Sequence, residues 1–334
     1  MTVLVTGSAG HLGEALVRQL RAQKRDVRGL DRTSSPFTDY VGSISDPASV
    51  RDAMSGIEAV IHTATLHKPH VVTHSRQAFI DSNVTGTLNL LEAAYTTGVS
   101  AFVFTSTTSV FGDALRPALG EPAAWITEQI RPIPKNIYGI TKLAAEDLCA
   151  LFHRLYDLNA IVLRTSRFFL EADDHYEVRD AYADANAKTN EFLYRRVDIE
   201  DVVDAHLLAL EKAPVLGFDR LIVSSTSPFE KDDLSDLRFD AASVVRRRCP
   251  EFEGEYARRS WSMFPTIDRV YVNACARERL GWRPRNDFRT VIDRLARDQN
   301  PLSPLAQKIG IKGYHDRSFS DGPYPIAEPP VRRT

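Results

Sequence analysis

"TGSAGHLG", residues 6–13, decides the fold. It follows the apolar run "TVLVT" (2–6), which reads as a buried strand, and it opens the helical pattern of residues 11–24. Gly7, Gly10 and Gly13 fall on a GxxGxxG spacing. Glycine is needed where the chain turns tightly, where backbone must approach a pyrophosphate, and where helix meets strand. The helix N-terminus then offers free N–H groups and a positive dipole end to the phosphates. Strand, loop and helix in register therefore predict dinucleotide binding. Asp31 ends the next strand-like run, "DVRGLD" (26–31), where a carboxylate can accept the adenosine ribose hydroxyls and repel a 2′-phosphate. Arg32 opposes this, since an arginine accommodates that phosphate; the balance favours NAD over NADP.

Outward from this unit, apolar β-rich runs alternate with amphipathic stretches. "AVIHTA" (59–64), "AFVFTS" (101–106) and "AIVLRTS" (160–166) read as further buried parallel strands, with helical patterns at 47–55, 75–98 and 139–157. "EDVVDAHLLALEKA" (200–213) adds a helix and "RLIVSS" (220–225) one more strand. This βαβα order predicts an α/β fold, a doubly wound parallel sheet of the Rossmann type. Residues 1–166 plus about 196–225 are expected to form the dinucleotide-binding domain. Residues 167–195 plus about 226–300 lack the alternation and are assigned to a smaller C-terminal substrate-binding lobe across the carboxyl ends of the strands. The Pro- and Gly-rich tail, 301–334, is expected to be irregular or peripheral.

The 334 residues are 43% hydrophobic and 26% charged with a formal net charge of −2, which describes an ordinary globular protein and gives no reason to expect nucleic acid or a membrane as partner. Cys149, Cys249 and Cys275 are widely spaced and odd in number, fitting free thiols in a reducing cytoplasm. "MTVLVTG" enters a core strand at once, so no secretory or membrane-spanning segment is expected, and "NVT" at Asn83 carries no glycosylation meaning.

The chemistry is carried by "NIYGITKLAAEDL" (136–148). Tyr138 and Lys142, at i and i+4, share one helical face, and an ammonium near a phenol lowers the phenol's pKa toward working pH. An isolated pair of this kind is usually a partly buried Tyr beside a snorkelling Lys. Here it follows the glycine loop, Asp31, "NVTGT" (83–87) and "STTSVFG" (106–112) in order, and "RLGWRPRNDF" (279–288) comes after it. Together these motifs resemble the extended short-chain dehydrogenase/reductase family, its NAD-dependent epimerase/dehydratase group, over about residues 1–225. The resemblance implies that Tyr138 is the catalytic acid/base, Lys142 its activator and nicotinamide-ribose ligand, and Thr107 the third hydroxyl, with Ser106 and Ser109 as neighbours one register away. It implies a cofactor site of Gly7, Gly10, His11, Leu12 and Gly13 at the pyrophosphate, with Asp31 and Arg32 at the ribose. Ser43 and Ile44 match the adenine contacts, a position more commonly Asp. Thr63, Ala64, Thr65 and Asn83 lead toward the nicotinamide, and Thr165 and Ser166 follow the strand at 160–166.

Within that family, acidic residues after the catalytic hydroxyl mark sugar dehydratases and a Cys marks enzymes inverting carbons beside the ketone. Here Thr108 and Ser109 stand instead, which suits oxidation, reduction or 4-epimerisation. The leading expectation is an NAD-dependent 4-epimerase of a nucleotide sugar, with an alcohol dehydrogenase or ketone reductase of another small metabolite as alternative. His67, Thr108, Arg167 and Arg269 are the substrate candidates; Arg167 replaces the family's usual Asn, and Arg269 is the nearest candidate for a diphosphate clamp. "HTATLHKPHVVTH" (62–74) holds four histidines without a nearby carboxylate or thiolate, so no metal is expected. His62 reads as a strand residue, while His67, Lys68 and His70 border the nicotinamide and substrate. "GYHDRSF" in the tail either caps the site or packs elsewhere. Helices 75–98 and 139–157 correspond to the pair through which such enzymes form homodimers, with Leu90, Leu91, Leu148 and Leu151 as the seam.

Overall fold

A computed structural model describes residues 1–315, 317, 319 and 322–325. Seven parallel strands form the central sheet: β1 (Val3–Thr6), β2 (Val27–Asp31), β3 (Tyr40–Val41), β4 (Ala59–His62), β5 (Ala101–Thr107), β7 (Ala160–Thr165) and β8 (Phe218–Val223), in the order β3-β2-β1-β4-β5-β7-β8. β1 and β4 are buried along their whole length, as strands covered on both faces must be. The chain runs outward from β1 to β3 and then returns to β4 on the other side, so the order reverses between β1 and β4. That reversal opens a crevice at the carboxyl ends of the strands. The doubly wound α/β architecture expected from the alternation is the one present.

Apolar clusters cover both faces. Leu12, Leu16 and Leu20 of the helix His11–Ala22 pack with Val202, Val203 and Leu210 of Ile199–Leu216 on one face. Leu90 and Leu91 of Gly86–Thr97 pack with Cys149 and Phe152 of Ile137–Tyr156 on the other. Leu90 and Leu91 have no exposure at all, so they belong to the core and not to an intersubunit seam, which corrects that expectation. The apolar side chains these two helices leave outside are Tyr95, Ile140, Leu155 and Tyr156.

Several elements depart from the sequence reading. The expected helix 75–98 is interrupted: Arg76–Phe79 runs into a π-helical turn, Ile80–Thr85, before Gly86–Thr97 resumes. Two short strands, β6 (Ala124–Ile126) and β9 (Arg269–Tyr271), pair in parallel apart from the main sheet. Residues 274–282 were assigned to the substrate lobe, yet Ala276, Leu280 and Trp282 are buried in the main core. The Trp282 indole N–H donates to Asp201 O at 3.0 Å. The tail is not wholly irregular. Pro304–Ile309 is a helix, N-capped by Ser303, whose hydroxyl in turn donates to the Asp198 carboxylate at 2.6 Å. Ala306 and Ile309 anchor it in the same core. A further apolar cluster gathers Ala123 with residues from 187–295, among them Phe252, Tyr256, Phe264 and Phe288.

Candidate active site

The crevice holds a cavity of about 540 Å³. Gly7 leaves β1 with φ +74°, and its N–H donates to Leu30 O at 2.8 Å. A Cβ on Gly7 would lie 2.8 Å from Ala64 N and Thr63 Oγ1; one on Gly13 would lie 1.9 Å from Gly7 O. The loop is therefore pressed against both the first helix and the segment after β4, and only glycine permits that approach. The helix His11–Ala22 begins without a side-chain cap, and His11, Leu12 and Gly13 line the cavity, leaving first-turn N–H groups for a ligand. β1–β2 pairing sets Thr6 opposite Leu30, which brings Asp31 beside this loop. Asp31 accepts from Ala9 N–H at 3.0 Å and Thr33 N–H at 2.9 Å, so its carboxylate is held toward the loop with lone pairs remaining. Arg32 also lines the cavity and lies near enough to His70 and His74 to lower their pKa values. This cradle fits the pyrophosphate and ribose of a dinucleotide.

At the other end, Thr107 closes β5 and is paired in register with Thr165 of β7. Tyr138 is the second residue of Ile137–Tyr156, which starts where the Asn136 side chain accepts from Gly139 N–H at 3.0 Å. The Thr107 side chain lies near enough to the Tyr138 hydroxyl to lower its pKa, and itself accepts from Ser109 N–H at 3.1 Å. Ser106 does not compete for that place, because its hydroxyl donates to buried Glu146 at 2.5 Å. Burial pushes Tyr138 up to about 12, against the smaller lowering by Thr107. Lys142 is 2% exposed, and its burial pulls it down to about 7 although Glu146 works the other way. Its Nζ lies 4.0 Å from the Phe104 ring centroid.

Of the residues expected at the site, all but Lys142, Asn83 and His70 line the cavity. Lys142 is buried, its ammonium over the Phe104 ring. Asn83 projects from the π-helical turn, accepts from Leu66 N–H and donates to Leu66 O, each at 2.8 Å, and reaches Thr141 at 3.0 Å. It fixes the loop 63–66 to the helix of Tyr138, and so shapes the cavity without facing it. Ser166 Oγ is buried and has no hydrogen-bond partner among the described residues.

The substrate end is more heavily paired than expected. The Arg167 guanidinium meets Asp173 at 2.9 Å, Asp174 at 3.3 Å and Glu191 at 3.6 Å. Burial works against its charge, but these carboxylates outweigh it and hold the group well above the usual arginine range. Arg269 is held by Asp268 at 2.8 Å. His67 is stacked on Phe169 with ring centroids 5.4 Å apart, and burial first, then His70 and His11, keep it neutral. Lining residues absent from the sequence reading include Arg116, Lys135, Phe169, Asp174 and Tyr324. Tyr314, from the tail stretch "GYHDRSF", also lines the cavity, as the capping alternative expected, while Asp316 and Ser318 of that stretch lie outside the described residues. Lys135 is lowered by burial and by neighbouring Arg116 and Lys68, a crowding of cations that suits an anionic substrate group. None of these carries a motif; a signal existed only in the aromatic content of the segments outside the βα alternation. Among the described residues no cluster of His, Cys, Asp and Glu could hold a metal, and no helix is long and apolar enough to cross a membrane.

Residues 3–217 match the family model described as the NAD dependent epimerase/dehydratase family. An NAD-dependent glucose-6-phosphate dehydrogenase of Haloferax volcanii is 30% identical over 48% of this chain and 66% of its own length. A putative UDP-glucose 4-epimerase of Methanocaldococcus jannaschii is 26% identical over 88% of this chain and 96% of its own. Three relatives at 30–35% identity, the dehydrogenase among them, are matched over only 36%, 66% and 41% of their lengths. Among solved structures, a short-chain dehydrogenase/reductase superfamily protein from Agrobacterium tumefaciens with bound NAD has the same fold, with TM-score 0.64 and 24% identity over 92% of this chain and 99% of that one. The glycine cradle, the Asp31 carboxylate and the hydroxyl pair thus sit within the matched residues, and the chain belongs to the NAD-dependent epimerase/dehydratase family.

Proposed function

We propose that the chain is an NAD-dependent epimerase of a nucleotide sugar, of the 4-epimerase type. The observation that carries this is the Thr107–Tyr138 hydroxyl pair facing a roomy cavity in which the next side chains are the neutral Thr108 and Ser109. Bound NAD supplies the hydride acceptor and donor. Tyr138 accepts the proton of the substrate hydroxyl and later returns it, while Thr107 orients the same oxygen. To accept a proton near neutral pH, Tyr138 must come down from about 12; the lowering charge would be that of Lys142, at i+4 on the same helix. A small neutral wall leaves a ketone free to turn over before it is reduced on its other face. Formation of the 4-epimer from UDP-glucose without accumulation of NADH tests the reading.

A net alcohol dehydrogenase or ketone reductase is the second reading. It is favoured by the ion pairing of Arg167 and Arg269, which leaves both candidate diphosphate ligands partly neutralised. The Haloferax relative, named as a dehydrogenase, points the same way.

Cofactor choice rests on Asp31. A 2′-phosphate would place a dianion against this carboxylate in a partly desolvated site, so NAD should bind more tightly than NADP. Asp31→Ala should lower NAD affinity and raise NADP affinity, shrinking the discrimination by about 2–4 kcal/mol, the scale of charge-assisted hydrogen bonds and uncompensated charge. Titration of both cofactors against wild type, Asp31→Ala and Arg32→Ala checks it. Tighter NADP binding by wild type, lost in Arg32→Ala, would show that Arg32 sets the preference.

The chain forms a homodimer through the helices Gly86–Thr97 and Ile137–Tyr156. In place of Leu90 and Leu91, the exposed Tyr95, Ile140, Leu155 and Tyr156 supply the apolar contact. Sedimentation should give a dimer at micromolar concentration and a monomer for Leu155→Glu; a monomeric wild type would contradict the assembly.

A further inference from the structure

The segment after the helix Pro304–Ile309 returns across the crevice, well outside the residues that match the family. Lys312 lies over the glycine loop. Its ammonium donates to Ala9 O at 3.0 Å and to Glu14 at 2.5 Å, and its backbone N–H points at His11 Nε2 (3.3 Å) and Glu171 Oε1 (3.2 Å). Gly313 N–H donates to the same Glu171 oxygen at 3.1 Å, and the Tyr314 hydroxyl donates to the other at 3.2 Å. Glu171 itself is 3% exposed and pairs with His11 at 2.8 Å. Beyond Tyr314 the chain crosses to the loop after β4: Tyr314 O meets His70 Nε2 at 3.1 Å, and His315 Nε2 meets Pro69 O at 3.1 Å. The Tyr314 ring lines the cavity, edge-on to His67 at 4.9 Å and to Phe169 at 5.8 Å.

Three walls of the crevice are thereby tied by one short stretch of chain: the glycine loop at Ala9–Glu14, the post-β4 loop at His67–His70, and the post-β7 segment at Phe169–Glu171. The crevice of a doubly wound sheet is otherwise open at the strand ends, and a ligand lying along it leaves by that opening. From this we infer that Lys312–Tyr314 is part of the dinucleotide site: Lys312 holds the phosphate loop in shape, and Tyr314, locked by Glu171, forms a cover that must lift before the dinucleotide can leave. Lys312 and Glu171 are positioning residues, acting through the glycine loop and Tyr314. This rests on the NAD-binding reading and adds to it a reason for the cofactor to stay bound through successive turnovers, as an enzyme that regenerates its cofactor each cycle requires.

The test is the rate of cofactor release, with no substrate present. The full chain is loaded with NADH and mixed with excess NAD, and the fall of bound-NADH fluorescence gives the dissociation rate constant. Tyr314→Ala and Glu171→Gln should each raise it by roughly tenfold or more, since each removes the cover or its lock. Tyr314→Phe keeps the ring and should stay closer to wild type than Tyr314→Ala. Lys312→Ala, at a partly exposed position, guards against variants that fail to fold; it too should speed release, and Lys312→Arg should restore the slow rate. Release at the wild-type rate from folded Tyr314→Ala and Lys312→Ala would overturn the inference while leaving the catalytic reading intact. A wild-type chain that takes up no dinucleotide would instead overturn the reading on which it rests.

Discussion

Tyr138→Phe is expected to reduce turnover by about 10³-fold or more while NAD still binds, on the scale of a lost general acid–base group. The substitution removes one oxygen and keeps the ring, which packs with Leu66 and Phe79. The glycine cradle and Asp31 are untouched, so cofactor affinity should change little. The lost atom is the one whose proton affinity burial has raised and Thr107 lowers. Lys142→Met should also slow the reaction, and the acid limb of its rate–pH profile should move to higher pH, because loss of a nearby cation raises the phenol pKa. Rates measured alongside NAD titration separate chemistry from binding. An active Tyr138→Phe enzyme would mean that another group carries the proton.

Glu146→Ala should be the most destabilising single change near the site, by about 3–5 kcal/mol, the range for breaking a buried ion pair by removing one partner. Glu146 has no exposure; it accepts from Arg164 at 2.7 Å and from the Ser106 hydroxyl at 2.5 Å. Without it, Arg164 keeps a guanidinium that is 3% exposed with no anion beside it. Lys142 also loses the carboxylate that counters its desolvation, so its pKa should fall further below about 7. Urea unfolding of wild type and variant checks the stability; a difference under about 1 kcal/mol, the median for exposed pairs, would show that the pair is solvated.

What could be read from the sequence was what depends on neighbours along the chain. The glycine loop, the strand ends at Asp31 and Thr107, and the Tyr138–Lys142 face are each set within a turn or a strand, and the structure brings nearly all of them to one cavity. The illegible parts depend on distant partners. Nothing local marks Ile80–Thr85 as a π-helical turn, because its reason lies in Asn83 reaching Leu66 and Thr141. Arg167 reads as a free anion ligand until the chain folds Asp173, Asp174 and Glu191 around it. Leu90 and Leu91 read as a seam, but the helix turns that face to the sheet. The tail looked irregular by composition, yet Pro304 opens a helix and Tyr314 reaches the cavity.

The most direct test of the proposed activity is to give the purified NAD-loaded protein UDP-glucose and follow sugar configuration and NADH absorbance together. Conversion to the 4-epimer over many turnovers with no net NADH is the predicted result. NADH accumulating in step with consumed substrate would contradict it in favour of a net dehydrogenase, and no conversion by an NAD-loaded protein would remove UDP-glucose as substrate.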